Sequence, residues 1–142
     1  MNTIIKKECE DFEKYHKNIY NIYFHIFCGF IFMAFLCLLS NNYSNVLLII
    51  YSILILFTIQ NIFISFTIFI ILFIIIDFIK KYKLSTRNIF ILFLVFYLLP
   101  DLSHYLTSEP SMLNINNITP LSIFTNIFYL LPFSIMCLSN SR

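Results

Sequence analysis

Leu54-Ile55-Leu56-Phe57-Thr58-Ile59-Gln60-Asn61-Ile62-Phe63-Ile64-Ser65-Phe66 decides the fold, and Gln60-Asn61 is its pivot. The pair interrupts an apolar stretch over residues 45–79, 35 residues in all. A bilayer core takes about 20 helical residues, so this stretch is too long for one crossing and barely enough for two. It reads as a tight helical hairpin, with spans over about 45–59 and 62–79.

A span over about 20–40 precedes the hairpin and ends at the polar cluster Ser40-Asn41-Asn42-Tyr43-Ser44-Asn45. On the other side, Lys80-Lys81-Tyr82-Lys83 terminates the hairpin. A further span runs over about 88–100 to Pro100, residues 101–119 read as a polar loop, and a last span covers about 120–138 with Pro132 inside it. Residues 1–19 form a charged amphipathic lead-in: Ile4, Ile5, Cys9 and Phe12 recur near helical spacing between Lys and Glu. The expectation is an all-α, integral membrane helical bundle of about five spans, one membrane domain over 1–142.

Composition agrees. Of 142 residues, 60% are hydrophobic and 11% charged, with one glycine and no tryptophan. A soluble domain carries about 25% charged residues. The net charge of +2 forms no basic stripe, so no nucleic-acid partner is expected. Cys9, Cys28, Cys37 and Cys137 show no CxxC spacing and read as reduced, packed thiols. The mixed charges before residue 20 lack a signal-peptide core, so the first span is expected to serve as an uncleaved anchor.

The chain spends its only histidines, His16, His25 and His104, at the edges of apolar segments. An unsatisfied imidazole is costly at membrane depth, so a shared metal site is one reading. Asn21 and His25 share a helical face. His16 and His25 lie on nearly opposite faces of a continuous helix, roughly 13 Å apart along its axis. Either the helix breaks near Asn18, or each histidine meets a different partner. The plainer reading makes His16 interfacial and His25 a hydrogen-bonded group inside the bundle. Asp101 precedes His104 by three residues and can share its face; a carboxylate beside imidazoles suits non-haem iron. Asp101 also reads as a helix cap, and Glu109 as a solvated loop acid. Asp77, in an apolar run, reads as a partner of Lys80 or Lys81.

Parity connects these residues. Four crossings between His25 and His104 put both on one face of the membrane, whereas three would separate them. The shared site therefore depends on the hinge at Gln60-Asn61. There is no GxSxG, P-loop, dinucleotide fingerprint or HExxH. Gly29, four residues after His25, permits a close helix approach.

His16, Asn21, His25 and Gly29, spaced HxxxxNxxxHxxxG at the mouth of a first span and preceded by Phe12 and Tyr15, resemble the 2-hydroxy fatty acid dioxygenase family. Those are small membrane proteins of fatty-acid alpha-oxidation. Ser103-His104, with Glu109 and Pro110 or Pro120 beyond it, is similar to the family's downstream motif, and Leu130-Leu131-Pro132-Phe133 to its final span. Ser103 replaces the family's usual glycine, and the acid comes one residue later than usual.

The resemblance implies an Fe(II) enzyme that uses dioxygen to cleave a long-chain 2-hydroxy fatty acid to an acid one carbon shorter. It implies His16, His25 and His104 as metal ligands. Asn21, Asp101 and Glu109 become catalytic candidates, and Lys17 a contact for the substrate carboxylate. The expected location is the endoplasmic reticulum or another internal membrane, with membrane lipid as the surrounding partner. The rival is a non-enzymatic scaffold or lipid-binding bundle that keeps the fold.

Overall fold

The computed structural model describes residues 3–110 and 120–140. It is all-helical over them: α1 (Thr3–Tyr15), α2 (Ile19–Leu39), a 3-10 turn (Asn41–Tyr43), α3 (Ser44–Ile59), α4 (Ile62–Lys80), α5 (Thr86–Thr107) and α6 (Pro120–Asn140). Among these, α2, α4 and α5 are long and apolar enough to cross a membrane. The 16 residues of α3 reach only about 24 Å, short of a bilayer core of about 30 Å. Among the described residues of α6, Ile127–Leu138 is an apolar stretch.

Three of the helices start at a side-chain cap. The side-chain oxygens of Asn18, Asn61 and Ser85 accept the backbone N–H of Tyr20, Ile64 and Asn88, capping α2, α4 and α5. Gln60 turns left-handed at φ 58°, and with Asn61 it makes the hinge between α3 and α4. The two helices pack together, and Lys80 Nζ at the end of α4 reaches Asn45 Oδ1 at the start of α3, 3.2 Å away. The hairpin expected at Gln60-Asn61 is therefore present.

α2 is the central helix and packs against α3, α4, α5 and α6. Its buried face includes Phe30, Phe32, Met33, Ala34, Cys37 and Leu38; Leu48, Tyr51, Ile55, Ile68, Leu72 and Ile76 complete the core. Tyr51 donates its hydroxyl to the Phe128 carbonyl at 3.0 Å and ties α3 to α6. Gly29 is where α6 comes closest: a Cβ there would stand 3.1 Å from Leu131 Cβ.

α5 departs from expectation. It does not stop at Pro100 but continues through Asp101, Ser103 and His104 to Thr107, so the first part of the expected loop is helical. Proline removes one backbone donor and tends to end a helix. Here the turns beyond Pro100 are held by packing of α5 on α2, which buries Ser103 and His104, and by Thr107 Oγ1 donating to the Ser103 carbonyl. The helix ends at Ser108, left-handed at φ 56°, where the Glu109 N–H returns to the His104 carbonyl. Residues 111–119 of that expected loop lie outside the described residues.

Exposed tyrosines mark both ends of the bundle: Tyr20, Tyr23 and Tyr105 at one, Tyr43 and Tyr82 at the other. Asp77 pairs with Lys81 at 3.4 Å on the outer surface, as read.

Candidate metal centre

The break between α1 and α2 is what brings the histidines together. The chain leaves helical geometry over His16, Lys17 and Asn18, then restarts at Ile19 under the Asn18 cap. Of the two alternatives for His16 and His25, the broken helix is the one found. α1 folds back on α6, and Phe12, Cys9, Ile22, Tyr129, Phe133 and Cys137 form a small apolar cluster beside the break. Phe12 stacks on the His16 ring with centroids 3.7 Å apart.

His16, His25 and His104 are all buried and form one group. One ligand nitrogen from each lies within 4.8 Å of the others. The rings meet edge to face, with centroids 4.4 Å apart for His16–His25, 4.6 Å for His16–His104 and 5.0 Å for His25–His104.

Protonation follows from the partners. His16 Nδ1 is 2.8 Å from the Phe12 carbonyl, and His25 Nδ1 is 2.9 Å from the Asn21 carbonyl. A carbonyl only accepts, so each Nδ1 carries the hydrogen and each Nε2 is left with a lone pair. Those two Nε2 atoms face each other at 3.2 Å. Burial, and then the neighbouring His25, push the His16 imidazole down to about 3, so a proton does not resolve the confrontation near neutral pH. A metal ion would. Nitrogens bound tetrahedrally at about 2.0–2.1 Å stand roughly 3.3 Å from one another. The donor set fits a metal that accepts imidazole.

A polar relay surrounds the group. The Ser103 hydroxyl donates to Asn21 Oδ1 and stands 3.4 Å from His25 Nδ1. Asn21 Nδ2 lies 3.3 Å from His104 Nδ1 and donates to Glu109 Oε2 at 2.6 Å. Glu109 Oε1 accepts the backbone N–H of Lys17 at 2.6 Å and of Asn18 at 2.7 Å. Partial burial acts to raise the Glu109 carboxyl, but the hydrogen bonds from Asn21, Asn18 and Lys17 outweigh it and hold the group below its ordinary value.

The structure thus gathers His16, His25 and His104, with Asn21 among them. Glu109 is neither the solvated acid of the plain reading nor one of the gathered ligands: its carboxylate is spent on the α1–α2 break and on Asn21. Asp101 sits half-buried on α5, one turn before His104, outside the group. Lys17 has an exposed side chain, and its contact with the site is through its backbone. Ser103, named from the sequence only as standing where the resembled family has glycine, joins the site as well. Buried between Asn21 and His25, it carried only the weak signal of a hydroxyl beside a histidine.

No protein-family model, curated protein or solved structure matches the chain.

Proposed function

We propose that the protein is a membrane-embedded, metal-dependent dioxygenase that cleaves a long-chain 2-hydroxy fatty acid to the acid one carbon shorter, with Fe(II) as its metal. One observation carries the metal half of this reading: two buried Nε2 lone pairs face each other at 3.2 Å, with both Nδ1 hydrogens already committed to carbonyls. The substrate half rests on the spacing of His16, Asn21, His25 and Gly29.

His16, His25 and His104 would hold the ion. When bound, Fe(II) supplies the activation of dioxygen that the cleavage needs. Asn21 and Glu109 fix the ligands rather than join them, as outer groups around metal sites do. Phe12 and Phe133 keep water from the His16 side. The head of a hydroxy acid would meet the site near the Tyr20 and Tyr105 end of the bundle, while its alkyl tail lies among apolar helices. Lys17, exposed at the same end, is the cation for the carboxylate. About five crossings, in an internal membrane such as the endoplasmic reticulum, complete this reading.

The test is an assay of detergent-purified protein with Fe(II), dioxygen and a 2-hydroxy long-chain acid, with His104→Ala alongside and free acids read by mass spectrometry. A one-carbon-shorter acid from wild type only supports the reading. Folded, metal-loaded wild type without product sinks the substrate class and moves the scaffold reading to first place.

A second reading is favoured by the donor set itself. Among the described residues the group is three imidazoles with no carboxylate, a set that also serves catalytic zinc. Metal content of protein purified without added metal separates the two.

A further inference from the structure

We propose that the turn between α4 and α5 binds the phosphate of an anionic membrane lipid. This site is at the far end of the bundle from the histidines and stands independently of their function. Lys80, Lys81, Lys83 and Arg87 crowd into eight residues, and Asp77 is the only acid between residues 14 and 100. Asp77 is taken by Lys81. Lys83 and Arg87 have no acidic partner among the described residues, and both are exposed.

Beside them is a cavity of about 170 Å³. Lys80, Lys83 and Asn41 line it with polar groups, and Leu38, Ile79 and Leu84 give it an apolar wall. Lys83 turns left-handed at φ 48° and Asn41 at φ 52°, so two tight turns frame the cavity between the end of α2 and the start of α5. Exposed Tyr43 and Tyr82 stand at the same end, the depth at which tyrosines meet lipid headgroups.

A mouth of amines over a wall of Leu and Ile matches one chemistry: a phosphate carrying net negative charge, continuous with acyl chains. A choline headgroup also has a phosphate, but its quaternary ammonium cancels the charge the lysines would read. Basic clusters next to a membrane helix attract anionic leaflets at about 1 kcal/mol per cation. The other end differs. There Lys6, Lys7, Lys14 and Lys17 are matched by Glu8, Glu10, Asp11 and Glu13, with Asp101 and Glu109 in addition. The bundle is therefore charge-polarised, and the proposal turns the α4–α5 end toward the anionic leaflet and the histidines toward the opposite face.

The experiment is native mass spectrometry of the whole protein in an uncharged detergent, with phosphatidic acid or phosphatidylcholine of matched acyl chains. Wild type should retain phosphatidic acid preferentially. Lys80→Gln with Lys83→Gln should weaken that retention about 25-fold, fivefold per lysine. Lys14→Gln, at the other end, should leave it unchanged. Lys80→Arg with Lys83→Arg keeps the charge and should keep the preference, which separates loss of charge from loss of fold. Equal retention of the two lipids, or a preference that survives the double Gln change in folded protein, overturns the proposal. So does full competition by inorganic phosphate, which would mark a site for the free ion.

Discussion

His16 Nε2 and His25 Nε2 stand 3.2 Å apart across the break between α1 and α2, each with its other nitrogen held by a carbonyl one turn back. Two lone pairs at that distance repel unless a cation lies between them. The metal-free protein should therefore be less stable than the loaded one. Ligand linkage gives about 2.7 kcal/mol at a hundredfold excess over the dissociation constant. A melt in detergent should shift upward with added Fe(II) or Zn(II), return on chelation, and show no shift in His16→Ala. A melt indifferent to both metals would remove the metal site.

Glu109 supports the same geometry from a distance of 92 residues along the chain. Its carboxylate accepts from two backbone N–H groups and from Asn21, and hydrogen bonds to charged groups contribute about 1.5–3 kcal/mol each. Glu109→Gln leaves an amide facing the Asn21 amide and should lower stability by about 2 kcal/mol. Metal affinity should drop roughly 10–100-fold, the range for outer groups around metal sites. Metal titration followed by melting checks both; an unchanged affinity would reduce Glu109 to a surface acid.

The acid limb of stability has a defined shape. The fold holds the His16 imidazole near 3 against an ordinary 6.5, because burial favours the neutral ring. Its contribution is complete above 6.5 and is lost as pH falls toward 3. Glu109, held below its ordinary 4.5, adds a second loss as pH falls through that carboxylate's depressed range. Metal-free protein should be flat in stability at neutral pH and decline on acidification, starting in the histidine range. His16→Gln should lessen the earlier part of that decline without abolishing it, because His25 and His104 are buried beside it, and should leave the later part.

Gly29 sets the approach of α6. Alanine there gains about 1 kcal/mol of helix propensity but puts a methyl 3.1 Å from Leu131 Cβ, a crowding that costs about as much. Gly29→Ala should fall within about 1 kcal/mol of wild type in a melt. Gly29→Leu has no such offset, should cost about 3 kcal/mol or more, and should separate α2 from α6.

The sequence made the helical class legible through its apolar runs, and the α3–α4 hinge through one polar pair, Gln60-Asn61. Parity from that hinge placed His25 and His104 at the same end, where they are found together. The α1–α2 break stood as one of two alternatives, because Asn18 reads equally as a mid-helix polar residue or as a cap. The extension of α5 past Pro100 was not legible. Asp101, Ser103 and His104 look like loop residues by polarity, yet Ser103 and His104 are polar because they face the site. The role of Glu109 was hidden for another reason. Its partners are backbone N–H groups, which every residue carries and no sequence pattern advertises.

The long reach of Glu109 also orders events in time. His16, Asn21 and His25 leave the ribosome while some 80 residues that must precede His104 and Glu109 are still unmade. Until α5 arrives, the Lys17 and Asn18 N–H groups have solvent rather than Glu109 as acceptor, and the first two histidines wait in a segment without its clamp. The centre thus cannot close before α5 is made, and metal uptake would follow the docking of α5 on α2 rather than guide it.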